Sequence, residues 1–280
     1  MKDLNQLKAT ATQIRRDIVR MVNMAGSGHP GGSLSSTDVV TALYFSVMKH
    51  DPATWTRDSK GQDVFIPSAG HLAPVYYAAL GRAGYFPVSE LGTLRKFRSR
   101  LQGHPSISYD LPGVVQASGS LGQGLACAAG IALAKKQDGD DTRVYCLLGD
   151  GEQEEGEVWE SAIFCAHHKI DNLVAITDWN CCQIDGNIND VAGMGDIAAK
   201  WAAFGWETIE VADGNDMESI LKAFDKASTV KGKPVMLLLH TSMGHGIDFM
   251  EGKHGWHGKA PKDEEVAVAL AQLEETLGDF

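Results

Sequence analysis

Two short polar segments carry the residue types that hold a metal ion and an anion. The apolar run RVYCLLGD leads into Gly149-Asp150-Gly151, and the run NLVAITD leads into Asp178-Trp179-Asn180 about thirty residues further on. Carboxylate, amide and main-chain carbonyl oxygens are the ligands that Mg²⁺ prefers. The glycines let the backbone approach a ligand closely, and the amides at the start of a following helix attract an anion. Together the segments predict a magnesium site that holds two phosphate oxygens.

Four carboxylates follow the first of these segments. They are Glu152, Glu154, Glu155 and Glu157. At the start of a helix these carboxylates interact favourably with the helix dipole, and this structural role alone would explain them. Beside a phosphate they would repel it unless a cation intervened. Asp150 is placed to hold that cation.

Histidines form the second group of residues suited to catalysis. Four of the ten histidines lie in segments that contain glycine or proline and interrupt a helical or strand pattern: His29, His71, His104 and His257. Loops at one rim of a sheet can converge on one pocket, where neutral imidazoles donate to hydroxyls and move protons. The remaining histidines include His50, His167 and His168, which we interpret as structural.

The segment around His29, GSGHPGG, matches the dinucleotide fingerprint G-x-G-x-x-G. That fingerprint requires a preceding strand. Residues 4–25 instead show apolar positions every three or four residues, which is the period of a helix. We therefore expect the glycines to end a helix and Pro30 to keep the chain from continuing it. The match to the fingerprint is then accidental.

Alternating strand and helix patterns must position these residues. Strands are predicted at 63–68, 143–150, 172–178, 206–212 and 233–241. Helices are predicted at about 35–48, 71–82, 121–137, 154–168, 196–204, 215–229 and 263–276. Nearly continuous apolar strands that alternate with helices predict an α/β fold, with a parallel sheet and helices on both faces. Ligands of such sheets bind beyond the carboxyl ends of the strands, where the polar segments lie. We read residues 1–280 as one domain.

Charge and composition limit the partners. The chain has 280 residues and a formal net charge of −11, which argues against nucleic acid or an anionic membrane as the main partner. An anionic substrate would need a local region of positive potential, supplied by a metal ion or a partner chain. We see no secretory segment and no apolar run of membrane-spanning length, so a reducing cytoplasm is expected.

The five cysteines lack C-x-x-C spacing. Cys127, Cys146 and Cys165 fall in helical or apolar patterns, where cysteine behaves as a small buried hydrophobe. For the adjacent pair Cys181-Cys182 we favour packing over a redox role.

The order G-D-G, about thirty residues, then N-x-x-x-I-D-G is similar to the thiamine-diphosphate motif, and the chain resembles the N-terminal, diphosphate-binding half of transketolases. Five further segments agree: 27–35, 68–80, 101–105, 118–134 and 248–261. The resemblance implies a thiamine-diphosphate-binding fold in which residues 1–280 form a single diphosphate-binding domain. The pyrimidine and C-terminal domains are absent from this chain, as in the smaller subunit of a split transketolase. A partner chain that carries them, in an α₂β₂ assembly, is expected.

The resemblance also implies roles for individual residues. Asp150, Asn180 and the carbonyl of Cys182 would bind Mg²⁺. The contacts to thiamine diphosphate would come from His71, Gly119, Leu121, Gly122, Gly151, Asn180, Ile184 and His257. The catalytic residues would be His29 and His257, which help to remove the proton of the donor's hydroxyl, His104, which binds the terminal hydroxyl of the two-carbon unit, and Glu155, which supports the partner's glutamate. His240 and His245 stand where related segments carry lysine.

These roles imply transfer of a two-carbon ketol unit from a ketose phosphate to an aldose phosphate, with activity only in the presence of the partner. Two alternatives remain among thiamine enzymes: a transketolase for a modified or branched sugar, and a subunit like 1-deoxyxylulose-5-phosphate synthase or a 2-oxo acid decarboxylase. A zinc hydrolase built from the histidines is disfavoured, because the sequence has no H-E-x-x-H and no Cys/His pairing at ligand spacing. A non-catalytic binding subunit is disfavoured because the motif set is intact.

Overall fold

The computed structural model of the protein describes residues 3–280 and contains all five predicted strands. In chain order the strands are β1 Val64–Pro67, β2 Val144–Gly149, β3 Leu173–Trp179, β4 Cys182–Gln183, β5 Gly186–Asn187, β6 Glu207–Val211 and β7 Val235–His240. Five of them form one sheet in the order β1-β2-β3-β7-β6, and every neighbouring pair is parallel. The short strands β4 and β5 form a separate antiparallel hairpin, which the sequence patterns did not predict.

The helices surround this sheet. They are α1 Leu4–Ala25, α2 Pro30–Ser35, α3 Thr37–Ala42, α4 Ala73–Arg82, α5 Gln123–Gln137, α6 Gly156–His167, α7 Ile188–Ala192, α8 Ile197–Ala203, α9 Met217–Thr229 and α10 Asp263–Gln272. Every predicted helix is present. The helix expected at about 35–48 is divided, because α3 continues into one π-helical turn at Leu43–Val47.

Alternate residues of each strand pack into two separate cores, one on each face of the sheet. In β2, Tyr145 and Leu147 belong to the core formed with α1, α3, α4 and α9. Their neighbours Val144, Cys146 and Leu148 belong to the core formed with α5, α6 and α8. Successive side chains of a strand point to opposite faces, so a strand covered on both sides must be apolar throughout. The predicted parallel sheet with helices on both faces is confirmed.

Helix α1 begins with a reciprocal cap between Asp3 and Gln6 and ends at Gly26, which has a φ of +66°. This left-handed conformation suits glycine, as expected for a helix C-terminus. Two arginines of its buried face take part in ion pairs: Arg15 pairs with Asp38 of α3, and Arg16 with Asp279.

Pro30 does not act only as a stop signal. It is the first residue of α2, so the chain resumes a helix directly after His29. Proline suits this position because its φ is already helical and its missing N–H needs no partner there. His29 therefore occupies the junction between the glycine turn and α2, rather than the middle of a loop.

The cysteines follow the expected pattern with one exception. Cys146 and Cys165 are buried, but Cys127 is exposed on α5. The residues around Cys127 are small, so the sequence pattern does not show which face of α5 is buried. In the structure α5 packs against α6 and β2, and Cys127 lies outside these contacts. Cys181 and Cys182 are free and half-buried. Burial and the neighbouring Asp150 raise the pKa of both thiols, which agrees with packing rather than redox chemistry.

Candidate cofactor and catalytic site

The register of the central sheet brings the two polar segments together. Gly149 of β2 pairs with Asp178 of β3, so Asp150 and Asn180 leave the same edge of the sheet side by side. The backbone N–H of Asp150 donates to the Asp178 carbonyl at 3.3 Å. The sequence placed both residues at strand ends, and the parallel pairing makes them neighbours.

Asp150 is a buried carboxylate held by main-chain donors. Gly151 N–H donates to its Oδ1 at 2.8 Å, and Cys181 N–H donates to its Oδ2 at 2.6 Å. Burial and then the charge of Asp178 raise the Asp150 pKa to about 7. Among residues 3–280 no lysine, arginine or histidine lies within ion-pair distance of Asp150. Two adjacent buried carboxylates without a cationic side chain are stabilised by a bound cation.

Asp178 orients the amide of Asn180, a role that the sequence analysis did not assign to it. Its carboxylate accepts from Asn180 Nδ2 at 2.9 Å, from Ser35 Oγ at 2.6 Å and from Thr241 Oγ1. Asn180 Oδ1 accepts from Cys182 N–H at 3.0 Å. The amide nitrogen is thus turned toward Asp178 and the oxygen away from it. The sequence did contain a signal for this role, because Asp178 is a second acidic residue at the end of a buried strand, two positions before Asn180.

Glu152 has a different role from the one expected for it. Instead of facing the dipole of α6 it is buried, and its carboxylate accepts from Gly122 N–H at 2.8 Å, Gly149 N–H at 3.1 Å and Ser68 Oγ. It therefore ties the end of β2 to the loops after β1 and before α5. The other acidic residue of interest, Glu155, is exposed and precedes α6.

Two glycines allow these loops to approach each other. A Cβ at Gly70 would lie 2.6 Å from the backbone nitrogen of Gly119. Gly122 has a φ of +88°, and a Cβ there would lie 2.9 Å from Glu155 Cβ. Larger residues at either position would displace the segment that contains Gly119, Leu121 and Gly122.

Four histidines, all predicted, form one cluster beside this site. The ring of His29 lies 5.3 Å from that of His71, 6.1 Å from that of His104 and 5.7 Å from that of His257, measured between centroids. The rings of His71 and His257 lie 4.9 Å apart. The loops before α2, before α4, after residue 101 and after β7 therefore converge at one place.

All four imidazoles are neutral at neutral pH. Burial is the first cause in each case, and it lowers the pKa of His29 to about 4 and that of His71 to about 3. It also lowers the pKa of His257, and burial followed by the charge of Arg95 lowers that of His104. The Nδ1 atoms of His29 and His257 are buried without a hydrogen-bond partner in the described chain. Neutral, unpaired imidazoles are available to accept or donate a proton.

A cavity of about 260 Å³ joins the polar edge of the sheet to the histidine cluster. The predicted residues that line it are His71, Leu121, Asp150, Gly151, Glu155, Asn180, Cys182, Ile184 and His257. His29, His104, Gly119 and Gly122 lie just outside the lining. The rings of His29 and His104 contact each other, and a Cβ at Gly119 would lie 3.7 Å from the ring of His104. The sequence patterns did not point to Gln183 and Met243, which also line the cavity.

The other histidines belong to separate contacts. His50 Nε2 lies 2.7 Å from the Tyr44 carbonyl, as expected for a structural residue. His240 contacts Glu210 at 2.7 Å and stacks on Trp179, and His245 contacts Glu251 at 2.8 Å. Within the described ranges, no group of three or more His, Cys, Asp or Glu side chains is arranged to hold a metal ion. The cation site predicted from the sequence consists of one carboxylate, one amide and one carbonyl.

The profile of the transketolase thiamine diphosphate binding domain matches residues 6–277 of this sequence. The chain belongs to the transketolase family. This membership accounts for the convergence of the metal-type ligands, the glycine loops and the histidines on one cavity. Its chemical class is ketol transfer, and its domain is the one that binds thiamine diphosphate.

Relatives in this family include both separate subunits and longer chains. One subunit of the apulose-4-phosphate transketolase of Actinobacillus succinogenes is 39% identical over 272 residues, which are 97% of each chain. A 6-deoxy-6-sulfo-D-fructose transketolase subunit of a Clostridium species is 38% identical, over 96% of each chain. The crystal structure of Campylobacter jejuni transketolase superposes with a TM-score of 0.89 at 32% identity. It matches 97% of this chain, which spans only 43% of that transketolase.

The described part of the chain contains no helix that is both long and apolar enough to cross a membrane. The cytoplasmic location remains a prediction.

Proposed function

We propose that this chain is the N-terminal subunit of a two-chain transketolase, which transfers a two-carbon ketol unit from a ketose phosphate to an aldose phosphate with thiamine diphosphate and Mg²⁺. The observation that carries the proposal is the cluster of four neutral histidines, two of which line the cavity beside Asp150 and Asn180. Sugar hydroxyls need such donors and acceptors, whereas decarboxylation of a 2-oxo acid does not require four of them.

Mg²⁺ would be held by Asp150, Asn180 and the carbonyl of Cys182. The fit rests on the chemistry of the donors: Asp150 is buried beside a second carboxylate with no cationic side chain of the described chain near it, and Asn180 has its amide fixed by Asp178. A carbonyl ligand is indifferent to its side chain, so cysteine is acceptable at position 182. The ion would hold the diphosphate of the cofactor against these residues.

Thiamine diphosphate, when bound, supplies a nucleophilic thiazolium carbon. Toward its diphosphate we assign Gly151, His71 and His257. Toward its rings we assign the 119–122 loop, through Gly119, Leu121 and Gly122, and the side chain of Ile184. Glu152 holds Gly122 in place through the hydrogen bond from its N–H.

The histidines bind the sugar and move its proton. His29 and His257, with their rings 5.7 Å apart, accept the proton of the donor's hydroxyl as its carbon–carbon bond breaks. Their lowered pKa values leave them unprotonated and able to do so at neutral pH. His104, at the exposed side of the cluster, binds the terminal hydroxyl of the two-carbon unit.

A partner chain completes the site. Ile184 and Leu121 line the cavity yet remain 62% and 37% exposed, and Glu155 is exposed beside them. We assign these residues to contact with a partner that carries the pyrimidine-binding and C-terminal domains, in an α₂β₂ assembly in the cytoplasm. Glu155 pairs with the partner's cofactor-activating glutamate. This chain matches nearly the whole length of two relatives that are named as subunits. That match supports a division of the enzyme into two chains.

A modified or branched sugar is a second candidate for the substrate. One relative is named for apulose 4-phosphate and another for 6-deoxy-6-sulfo-D-fructose, so relatives of this size are named for sugars outside the common ketose phosphates.

The test is copurification of the tagged chain from its native cells with thiamine diphosphate and Mg²⁺, followed by a ketol-transfer assay with several ketose donors. We expect a partner with a pyrimidine-binding domain, transfer activity in the eluate, and neither activity nor tight cofactor binding in the isolated chain. Robust turnover by the isolated chain would refute the two-chain proposal. A partner that supports only decarboxylation would refute ketol transfer.

A further inference from the structure

A second cavity lies at the end of the central sheet opposite to the candidate cofactor site. It has a volume of about 370 Å³ and is bounded by the first residues of β2 and β3, by α9 and by the π-helical turn Leu43–Val47. Ligand sites commonly have volumes of about 300–1,000 Å³. Tyr145, which lines this cavity, lies five residues before Asp150 in the chain, or about 16 Å along an extended strand. We call this second site the Tyr145 cavity.

Apolar side chains from four elements contribute to the lining of the Tyr145 cavity: Val47, Tyr145, Val174, Leu221, Phe224 and Ala227. The rings of Tyr145 and Phe224 meet edge to face, with their centroids 5.9 Å apart. The π-helical turn supplies Ser46 as well as Val47, and such turns occur frequently at functional sites. The lining therefore suits the apolar part of a small ligand.

One buried polar group of this cavity lacks a partner. Tyr145 is 4% exposed, and its hydroxyl makes no hydrogen bond within residues 3–280. By contrast, Tyr76 of the same core donates its hydroxyl to the Gly113 carbonyl at 2.7 Å. Leaving a buried hydroxyl unpaired costs free energy, and a ligand that accepts its hydrogen bond would recover that cost.

Charged groups of both signs lie near this hydroxyl. Asp63 accepts the backbone N–H groups of Lys49 and Arg143 at 2.8 and 2.7 Å. Burial and then Asp63 raise the pKa of Tyr145, whereas Arg143 lowers it, so both charges act on the hydroxyl. In the described part of the chain no side-chain ion pair involves Asp63, Lys49 or Arg143, and Arg143 donates instead to the Ser228 carbonyl at 2.9 Å.

The balance of these charges limits the kind of ligand. Two exposed carboxylates, Asp141 and Asp225, also line the cavity. A ligand that carries only a negative charge would face three carboxylates, and one that carries only a positive charge would face Lys49 and Arg143. A zwitterion can pair with groups of both signs, because its own two charges are opposite.

We propose that the Tyr145 cavity binds a zwitterionic α-amino acid with an apolar side chain. The carboxylate of the ligand accepts from the Tyr145 hydroxyl and pairs with Arg143, and its ammonium group pairs with Asp63. Its apolar side chain packs against Leu221 and Phe224. This binding does not depend on the proposed function, because the cavity and the candidate cofactor site lie at opposite ends of the sheet.

The first test titrates the full chain, labelled with ¹³C-tyrosine, with L-leucine and separately with L-phenylalanine. We expect a saturable shift of the Tyr145 ring signals and little change for Tyr76, a buried tyrosine whose hydroxyl already has a partner. Two analogues of leucine test the charges: 4-methylpentanoate lacks the ammonium group, and 3-methylbutylamine lacks the carboxylate. Each should bind about tenfold more weakly than leucine, or less tightly still.

The titration would overturn the proposal in either of two ways. One is the absence of a saturable shift of Tyr145 with both amino acids. The other is binding of 4-methylpentanoate or 3-methylbutylamine as tight as that of the amino acids, which would show that the cavity does not recognise a zwitterion.

The second test removes the hydroxyl alone. Tyr145→Phe is expected to weaken binding of the amino acid about tenfold, because one hydrogen bond to a charged group is lost. The free energy of unfolding of the unliganded variant should not fall, because this hydroxyl has no partner in the described chain. Tyr76→Phe is the matched control: it should lower stability through loss of the bond to Gly113 and leave the affinity unchanged.

Arg143→Gln should also weaken binding of the amino acid, through loss of the cation that pairs with its carboxylate. Unchanged affinity in both Tyr145→Phe and Arg143→Gln would overturn the proposal. A loss of stability in Tyr145→Phe without a change in affinity would assign the hydroxyl to an ordered water and would equally overturn it.

Discussion

At the scale of single residues, the candidate metal site depends on opposed demands on Asp150. Main-chain donors favour its charged form, but burial and Asp178 disfavour it, and the balance raises its pKa to about 7. A divalent cation would resolve this conflict by neutralising both carboxylates. These opposed demands on Asp150 support the proposed cation site.

Asp150→Ala is expected to abolish Mg²⁺-dependent binding of thiamine diphosphate. Without this carboxylate the ion is lost, and the remaining acidic side chains face the diphosphate unscreened. Calorimetric titration of the two-chain complex with cofactor, with and without Mg²⁺, measures the effect. Asp190→Ala, an exposed carboxylate of α7, serves as the control. Unchanged Mg²⁺-dependent affinity in Asp150→Ala would rule out the assignment.

At the scale of elements, the site is held together by polar groups that connect loops. Glu152 links the end of β2 to the loop before α5, and Asp178 links β3 to α2 and to Thr241 after β7. Away from the site, Gln13, Arg16 and Arg20 of α1 hold the carboxylate of Asp279. Each link joins segments that are far apart in the sequence.

Glu152→Gln should lower both stability and cofactor affinity. All three of its partners are donors, so one amide N–H of glutamine would face another donor, at a cost of about 1–3 kcal/mol. We expect a lower free energy of unfolding of the chain in urea and about tenfold weaker thiamine diphosphate binding by the complex with the partner. Glu160→Gln on the exposed face of α6 is the control, and equal behaviour of the two variants would contradict this role.

Asp279 should stabilise the fold above acidic pH. The hydrogen bond from Arg16 is the first cause that lowers its pKa to about 2 from 3.8. A lowered folded-state pKa stabilises the protein above the unfolded-state value, and this contribution disappears as the pH falls through the folded-state value.

Asp279→Asn is therefore expected to lose on the order of 1 kcal/mol of unfolding free energy at pH 7, because the contact is partly screened by water. The difference from the unmodified protein should shrink as the pH falls from the unfolded-state value of 3.8 to the folded-state value of about 2. Urea unfolding across this range tests the sign, with Asp225→Asn as an exposed control. A difference in unfolding free energy that grows on acidification would contradict this role of Asp279.

At the scale of the whole molecule, the exposed apolar side chains suit a second chain. Ile163 and Phe164 of α6 are 57% and 41% exposed, and α6 packs against α5. Helix α6 begins directly after Glu155, which lines the cavity, and we place the partner on this face of α6.

Ile163→Glu is expected to weaken assembly with the partner at least tenfold without lowering the stability of the isolated chain. A charge in an apolar interface loses its hydration, whereas on the free surface it does not. Sedimentation of the mixed subunits measures assembly, and thermal unfolding measures stability. Val268→Glu on α10 is the control, since this residue is 52% exposed on another helix. Similar assembly of both variants would place the interface elsewhere.

The sequence by itself determined the class of fold, the positions of the five strands of the main sheet and of the longer helices, and most of the candidate site. Apolar strands that alternate with helices permit few arrangements, and the motif residues are polar or glycine at strand ends. The tertiary structure decided which loops meet. It showed that Glu152 is a buried acceptor rather than a dipole partner, that Cys127 is exposed, and that Pro30 begins a helix. It also showed that Arg95, beside the histidine cluster, has no carboxylate partner among residues 3–280. These properties depend on contacts between distant segments, which local periodicity does not encode.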